Sequence, residues 1–147
     1  MERVDRKNLS VNAIGEALWG FGGNLVAPLT VLALLITSLG GSKLEVGLLS
    51  AIGAGAMLFP ALAASFVMQR AAGKKKFLIL YHVYLLMPFW ALMGGIILFF
   101  AKDHPVVLRV LLPINYALYM CAMGFMLPLW MDWIAVLFKK DIRGTAM

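Results

Sequence analysis

Long apolar runs separated by short charged clusters set the pattern of this chain. Four runs carry no formal charge: Ala17 to Ser42, Val46 to Gln69, Phe77 to Ala101 and Val110 to Met131. Each reaches the roughly 20 residues that an α-helix needs to cross a hydrocarbon core about 30 Å thick. Membrane-barrel strands would instead alternate apolar and polar residues over segments of about ten, and these runs are apolar all round. The pattern therefore predicts an all-α, polytopic membrane protein with four transmembrane helices, over about 11–39, 45–69, 76–101 and 106–138.

Composition strengthens that reading. The chain is 63% hydrophobic and only 14% charged, with a mean hydropathy of +0.90. A soluble domain of 147 residues cannot hide that much apolar surface within itself. The net charge of +6 is not a nucleic-acid footprint, because the cations alternate with the spans. Arg3, Arg6 and Lys7 precede the first span, Arg70 and Lys74 to Lys76 lie between the second and third, and Lys139, Lys140 and Arg143 follow the fourth. Only Lys43, Lys102 and Arg109 fall on the other side. Cytoplasmic loops retain Lys and Arg, so both ends of the chain and the 70–76 loop are expected in the cytoplasm. The first apolar run is much longer than the 7–15 residues of a signal-peptide core and is read as retained. Cys121 is the single cysteine, which rules out an internal disulfide.

The connections carry turn chemistry. In "GGSKLE", Gly40-Gly41 stops one helix, and Ser42 with Glu45 forms a capping box for the next. Gly73 suits a left-handed turn, and Pro105 suits the first turn of the fourth span. "WGFGGN" followed by Pro28 predicts a bent or loosened first span, and Pro60 a kink in the second. Gly47, Ala51 and Gly55 recur every fourth residue, a small-residue face on which helices pack closely in lipid. "FKKDIRGTAM" reads as a loop entering a fifth helix at 144–147, so the chain is expected to be part of a longer polypeptide.

No nucleophile motif, phosphate-binding loop or His-Glu-x-x-His motif is present, and two histidines do not make a zinc site, so neither catalysis nor a metal or other cofactor is expected. Candidate chemistry lies inside the spans. Glu16, Asp132 and His82 each fall roughly 8–12 Å from the expected cytoplasmic surface at 1.5 Å per residue. Ionisable residues at membrane depth commonly face a bundle interior or a water-filled path. Asn24 and Asn115 lie deeper, to touch a solute or to bond a neighbouring helix. Trp19, one turn beyond Glu16, is placed at a cavity. Trp130 and Trp133, flanking Asp132, are placed in an interfacial belt, and Met120, Met123, Met126 and Met131 supply an adaptable lining.

The layout from "LWGFGGNLVAPLTVLALLITSLGGSKLEVGLLSAI" to "MQRAAGKKKFLIL" resembles the first helices of bacterial major facilitator superfamily transporters. Arg70, Gly73, Lys74 and Lys75 match that family's basic gating loop, whereas Gln69 stands at its acidic position and Ser65 at its leading glycine. The resemblance implies four helices of a twelve-helix transporter in a bacterial-type inner membrane. Two halves rock around a small-molecule solute, and the partners are lipid and the remaining helices of the same polypeptide. It puts helices 1 and 4 at the path and helix 3 further out, favouring Glu16 and Asp132 over His82. Two alternatives differ in kind: a scaffold subunit that binds a partner through Gly47, Ala51 and Gly55, and a complete four-helix small multidrug exporter. The topology is checked by labelling intact cells with a membrane-impermeant maleimide. Asp103→Cys is expected to react and Lys75→Cys only after permeabilisation; labelling of Lys75→Cys from outside would overturn the orientation.

Overall fold

The computed structural model describes residues 3–25, 27–67 and 74–138. Their elements are all helical: α1 (Arg3–Leu25), α2 (Pro28–Ser38), α3 (Lys43–Val67), α4 (Lys74–Tyr81), a π-helical turn (His82–Leu86), α5 (Met87–Phe100) and α6 (Pro105–Leu137). Among them, three helices are long and apolar enough to cross a membrane: Lys43–Ala64, Lys76–Phe100 running through the π turn, and Pro105–Leu137. Arg70, Gly73, the side chains of Asn24, Lys74 and Lys75, and the expected fifth helix at 144–147 lie outside the described residues.

The first expected span is two helices rather than one. α1 ends at Leu25, and Ala27 leaves the helical region at φ −63° and ψ 110° before α2 begins at Pro28. The cause is local. Proline has no N–H to continue the ladder, and its ring pushes the preceding residue toward extended backbone.

The α2–α3 connection folds as its sequence dictates. Gly40 adopts φ +78°, which a side chain would resist. Its N–H donates to Thr37 O at 3.0 Å and that of Gly41 to Ile36 O at 2.8 Å, the paired bonds of a Schellman stop. The Ser42 N–H then donates to Glu45 Oε2 at 2.6 Å, while the Glu45 N–H donates to Ser42 Oγ at 3.3 Å, completing the capping box. Arg109 of α6 reaches across to this turn. Its Nη1 donates to Gly40 O at 2.6 Å, and its Nε lies 3.5 Å from Glu45 Oε1 as a charge pair without hydrogen-bond geometry.

α6 is the central helix, packed by α3, α4 and α5. Its 33 residues make a rod of about 50 Å. Leu108, Leu112, Asn115, Tyr119, Ala122, Met126 and Leu129 are buried along it. Their spacing alternates four and three residues, the seam of a coiled coil. Asn115 is the polar member; its Nδ2 donates to Phe89 O at 3.1 Å and fixes how α5 sits on α6. Contacts between α3 and α6 advance in the same sense, from Glu45 and Arg109 through Gly53 and Tyr116 to Met57 and Gly124, so these helices run parallel.

The close crossing uses glycines other than the predicted ones. A Cβ on Gly124 would fall onto the Met57 backbone, and one on Gly53 would sit 2.9 Å from the Tyr116 hydroxyl. Gly47 and Gly55 have open space beside them, and Ala51 is exposed, so that face packs against nothing in the described chain. Gly124→Ala is therefore expected to cost about 1–3 kcal/mol through backbone displacement, whereas Gly47→Ala is neutral or mildly stabilising by helix propensity. Thermal unfolding of the two variants in detergent checks this; equal midpoints would refute the crossing.

Candidate functional site

The site begins with Pro88. An α-helix through residue 84 needs an N–H at 88, which proline lacks. The ladder resets instead through a π turn, in which the Met87 N–H donates to His82 O, and Pro88 falls in the first turn of α5, where no N–H is required. Tyr81, just before the turn, pins α4 to α6: its hydroxyl donates to Ala122 O at 3.1 Å, and its ring stacks on Phe125 at 5.9 Å. His82 is thereby held against α6. Its Nδ1 lies 3.1 Å from Leu78 O, an acceptor only, so Nδ1 carries the proton and donates.

Four rings form an unbroken string around this histidine. Trp19 of α1 meets His82 edge-on with centroids 5.9 Å apart, and His82 meets Trp130 of α6 edge-on at 6.2 Å. Trp130 leans on Trp133 at 5.1 Å. The Trp130 indole Nε1 donates to Glu16 Oε1 at 3.2 Å, which ties α1 to α6. These side chains enclose an open cavity of about 420 Å³, completed by Leu78, Ile79 and Val83 on the α4 side and by Met123, Met126 and Leu127 on α6. The volume falls in the range of about 300–1,000 Å³ typical of small-molecule pockets. Among the described residues no three His, Cys, Asp or Glu side chains converge as metal ligands would.

Of the candidates read from the sequence, Glu16, Trp19 and His82 meet in this cavity. Asp132 shares their level but is exposed on α6, outside the cavity lining. His82, expected further out, lines the cavity instead, because the π turn and the Tyr81 anchor hold it on α6. Trp130 and Trp133 face the same space rather than forming only a belt. Asn115 lies apart, buried between α5 and α6, with its Oδ1 unbonded. Pro88, six residues after His82, was the available sign that this helix is offset there.

Pro88→Ala restores the missing donor, so the turn is expected to relax to α-helix and rotate His82 by about 100° relative to α5. In a Cys121→Ser background, short bifunctional cross-linking of a Trp19→Cys, His82→Cys pair is expected to fall sharply on adding Pro88→Ala. Unchanged cross-linking would show that proline does not set the turn. Comparison with protein-family models, with curated proteins and with solved structures finds no match.

Proposed function

We propose that this chain is the amino-terminal part of a secondary transporter, in which the cavity between α1, α4 and α6 forms one half of a solute path and Glu16 couples solute movement to protons. The observation that carries the proposal is the meeting of Glu16 and His82, an acid and a base, in one cavity walled by three tryptophans within a chain of apolar helices. Intramembrane ionisable groups of this kind commonly serve ion or proton pathways. The resemblance to the major facilitator layout supports the same reading, and the broken first span agrees with helices that move against one another. No step of covalent chemistry is assigned to the site. The lipid bilayer of a bacterial-type inner membrane and the remaining helices of a longer polypeptide are the partners of this reading.

A second reading rests on a different observation. The Gly47, Ala51 and Gly55 face of α3 meets no described neighbour, as a membrane scaffold that docks a partner helix there requires.

The two readings separate in proteoliposomes containing the full-length protein and screened against a panel of small solutes. Under the transport reading, Glu16→Gln cuts accumulation driven by an imposed pH gradient by at least about tenfold but spares gradient-free counterflow. Asp132→Asn, outside the cavity, leaves both unchanged. Gradient-driven accumulation that survives Glu16→Gln would remove proton coupling through this carboxylate. Loss of an assembled complex on Gly47→Leu, with no flux in the unaltered protein, would favour the scaffold.

A further inference from the structure

The chemistry of the cavity wall narrows what can occupy it, and this step rests on the solute-path reading above. Glu16 is the one carboxylate among the residues that line the space, and no lysine or arginine lines it. Among the described residues, its side chain is met by the Trp130 indole N–H and not by a cation. A carboxylate offers about four acceptor positions, and that indole takes one. Around it stand the faces and edges of Trp19, His82, Trp130 and Trp133 in continuous contact. Elsewhere the wall is aliphatic or thioether.

Each competing ligand class fails on one of these features. An anion would meet a carboxylate and no lysine or arginine in the lining. A sugar or other polyol needs several converging donors and acceptors, but beyond three indole N–H groups, one of them already directed at Glu16, the polar lining is Glu16 and His82 alone. A metal ion would need a ligand set that the described residues do not assemble. A single positive charge spread over an apolar body fits all of them. Its charge is balanced by Glu16, its surface packs on Met123 and Met126, and the electron-rich indole faces attract it as they attract quaternary ammonium groups. We infer that this cavity binds a bulky organic monocation, held by the Glu16 carboxylate inside the cage formed by Trp19, Trp130 and Trp133.

The test compares two ions of matched shape and opposite charge. The full-length protein in detergent micelles is dialysed to equilibrium against tetraphenylphosphonium or, separately, tetraphenylborate, and binding is counted above protein-free micelles. Saturable binding is expected for the cation only. Glu16→Gln, whose amide oxygen still accepts from Trp130, should weaken it at least about tenfold, and Glu16→Asp should restore part of the loss. Trp19→Leu, on the exposed flank of α1, should weaken it about tenfold with Glu16 intact. Equal binding of both ions, no binding of either, or cation binding indifferent to both Glu16→Gln and Trp19→Leu would overturn the inference. The measurement needs no gradient and no turnover. Gradient-driven flux of some other solute therefore leaves the transport reading standing when cation binding fails. Cation binding without flux sinks only the transport reading.

Discussion

Backbone hydrogen bonding governs this structure. Helices as apolar as α3, the α4–α5 run and α6, long and apolar enough to cross a membrane, must satisfy their N–H and C=O groups within themselves, because apolar surroundings offer no partners. Whatever interrupts that ladder therefore shapes the molecule; of the chain's six prolines, Pro60, Pro113 and Pro128 sit inside continuous helices, and Pro28, Pro88 and Pro105 mark helix starts. Pro28 and Pro105 open helices, where an N–H is not needed. The same residue type gives opposite results in the first and third apolar runs. At Pro28 the helix stops and restarts, leaving α1 and α2 as separate rods. At Pro88 the helix absorbs the defect as a π turn and continues. Both outcomes feed the same cavity, since one leaves α1 separate from α2 and the other sets His82.

What the sequence revealed about the fold depended on local contrast. The Ser42 and Glu45 capping box and the Gly40 stop were legible because polar residues and glycines stand out in an apolar background and act over only a few positions. The packing seam of α6 was not legible. Seven of its ten buried positions repeat with a coiled-coil spacing, but the residues between them are almost as apolar, so no hydrophobic stripe marks the inward face. For the same reason the small-residue repeat at Gly47, Ala51 and Gly55 gave no sign of which face of α3 meets α6. The close approach occurs at Gly53 and opposite Gly124 instead. Asn115 is the exception that shows the rule: the one polar residue on the seam was singled out, and it bonds the neighbouring helix.

The site divides along similar lines. Counting residues at a fixed rise gives depth, and depth placed Glu16, His82 and Asp132 in one layer. It says nothing about direction around the helix. Two residues apart on α6, Trp130 and Asp132 differ by about 200° in azimuth, and the structure turns Trp130 to the cavity and leaves Asp132 outside its lining. For His82, counting along a regular helix could not anticipate the extra residue of a π turn. Trp19 was found because it lies one turn from Glu16 on the same helix, where azimuth and depth are both fixed by sequence spacing.

The two ends of α6 are held with different strength, and this bears on how a cavity of this kind is entered. At the Arg109 end, a guanidinium joins the Gly40 carbonyl and the Glu45 carboxylate on a turn already locked by its own caps. About 32 Å away, at the level of Trp130, the cavity has unequal walls. The α4 wall is fixed by the Tyr81 hydroxyl, the Tyr81–Phe125 stack and the close packing of the buried Leu78 and Leu86. Across the α1 wall run the Trp130–Glu16 hydrogen bond, at about 1 kcal/mol, and the edge-on Trp19–His82 contact, at about 0.5–1.5 kcal/mol. Its flank, from Val11 through Leu18 to Phe21, stays exposed. Separating α1 from the cavity therefore takes less free energy than displacing α4. The carboxylate that gives the site its charge rides on the weakly held wall, so its distance from His82 and Trp130 is the geometric quantity most easily changed in this fold.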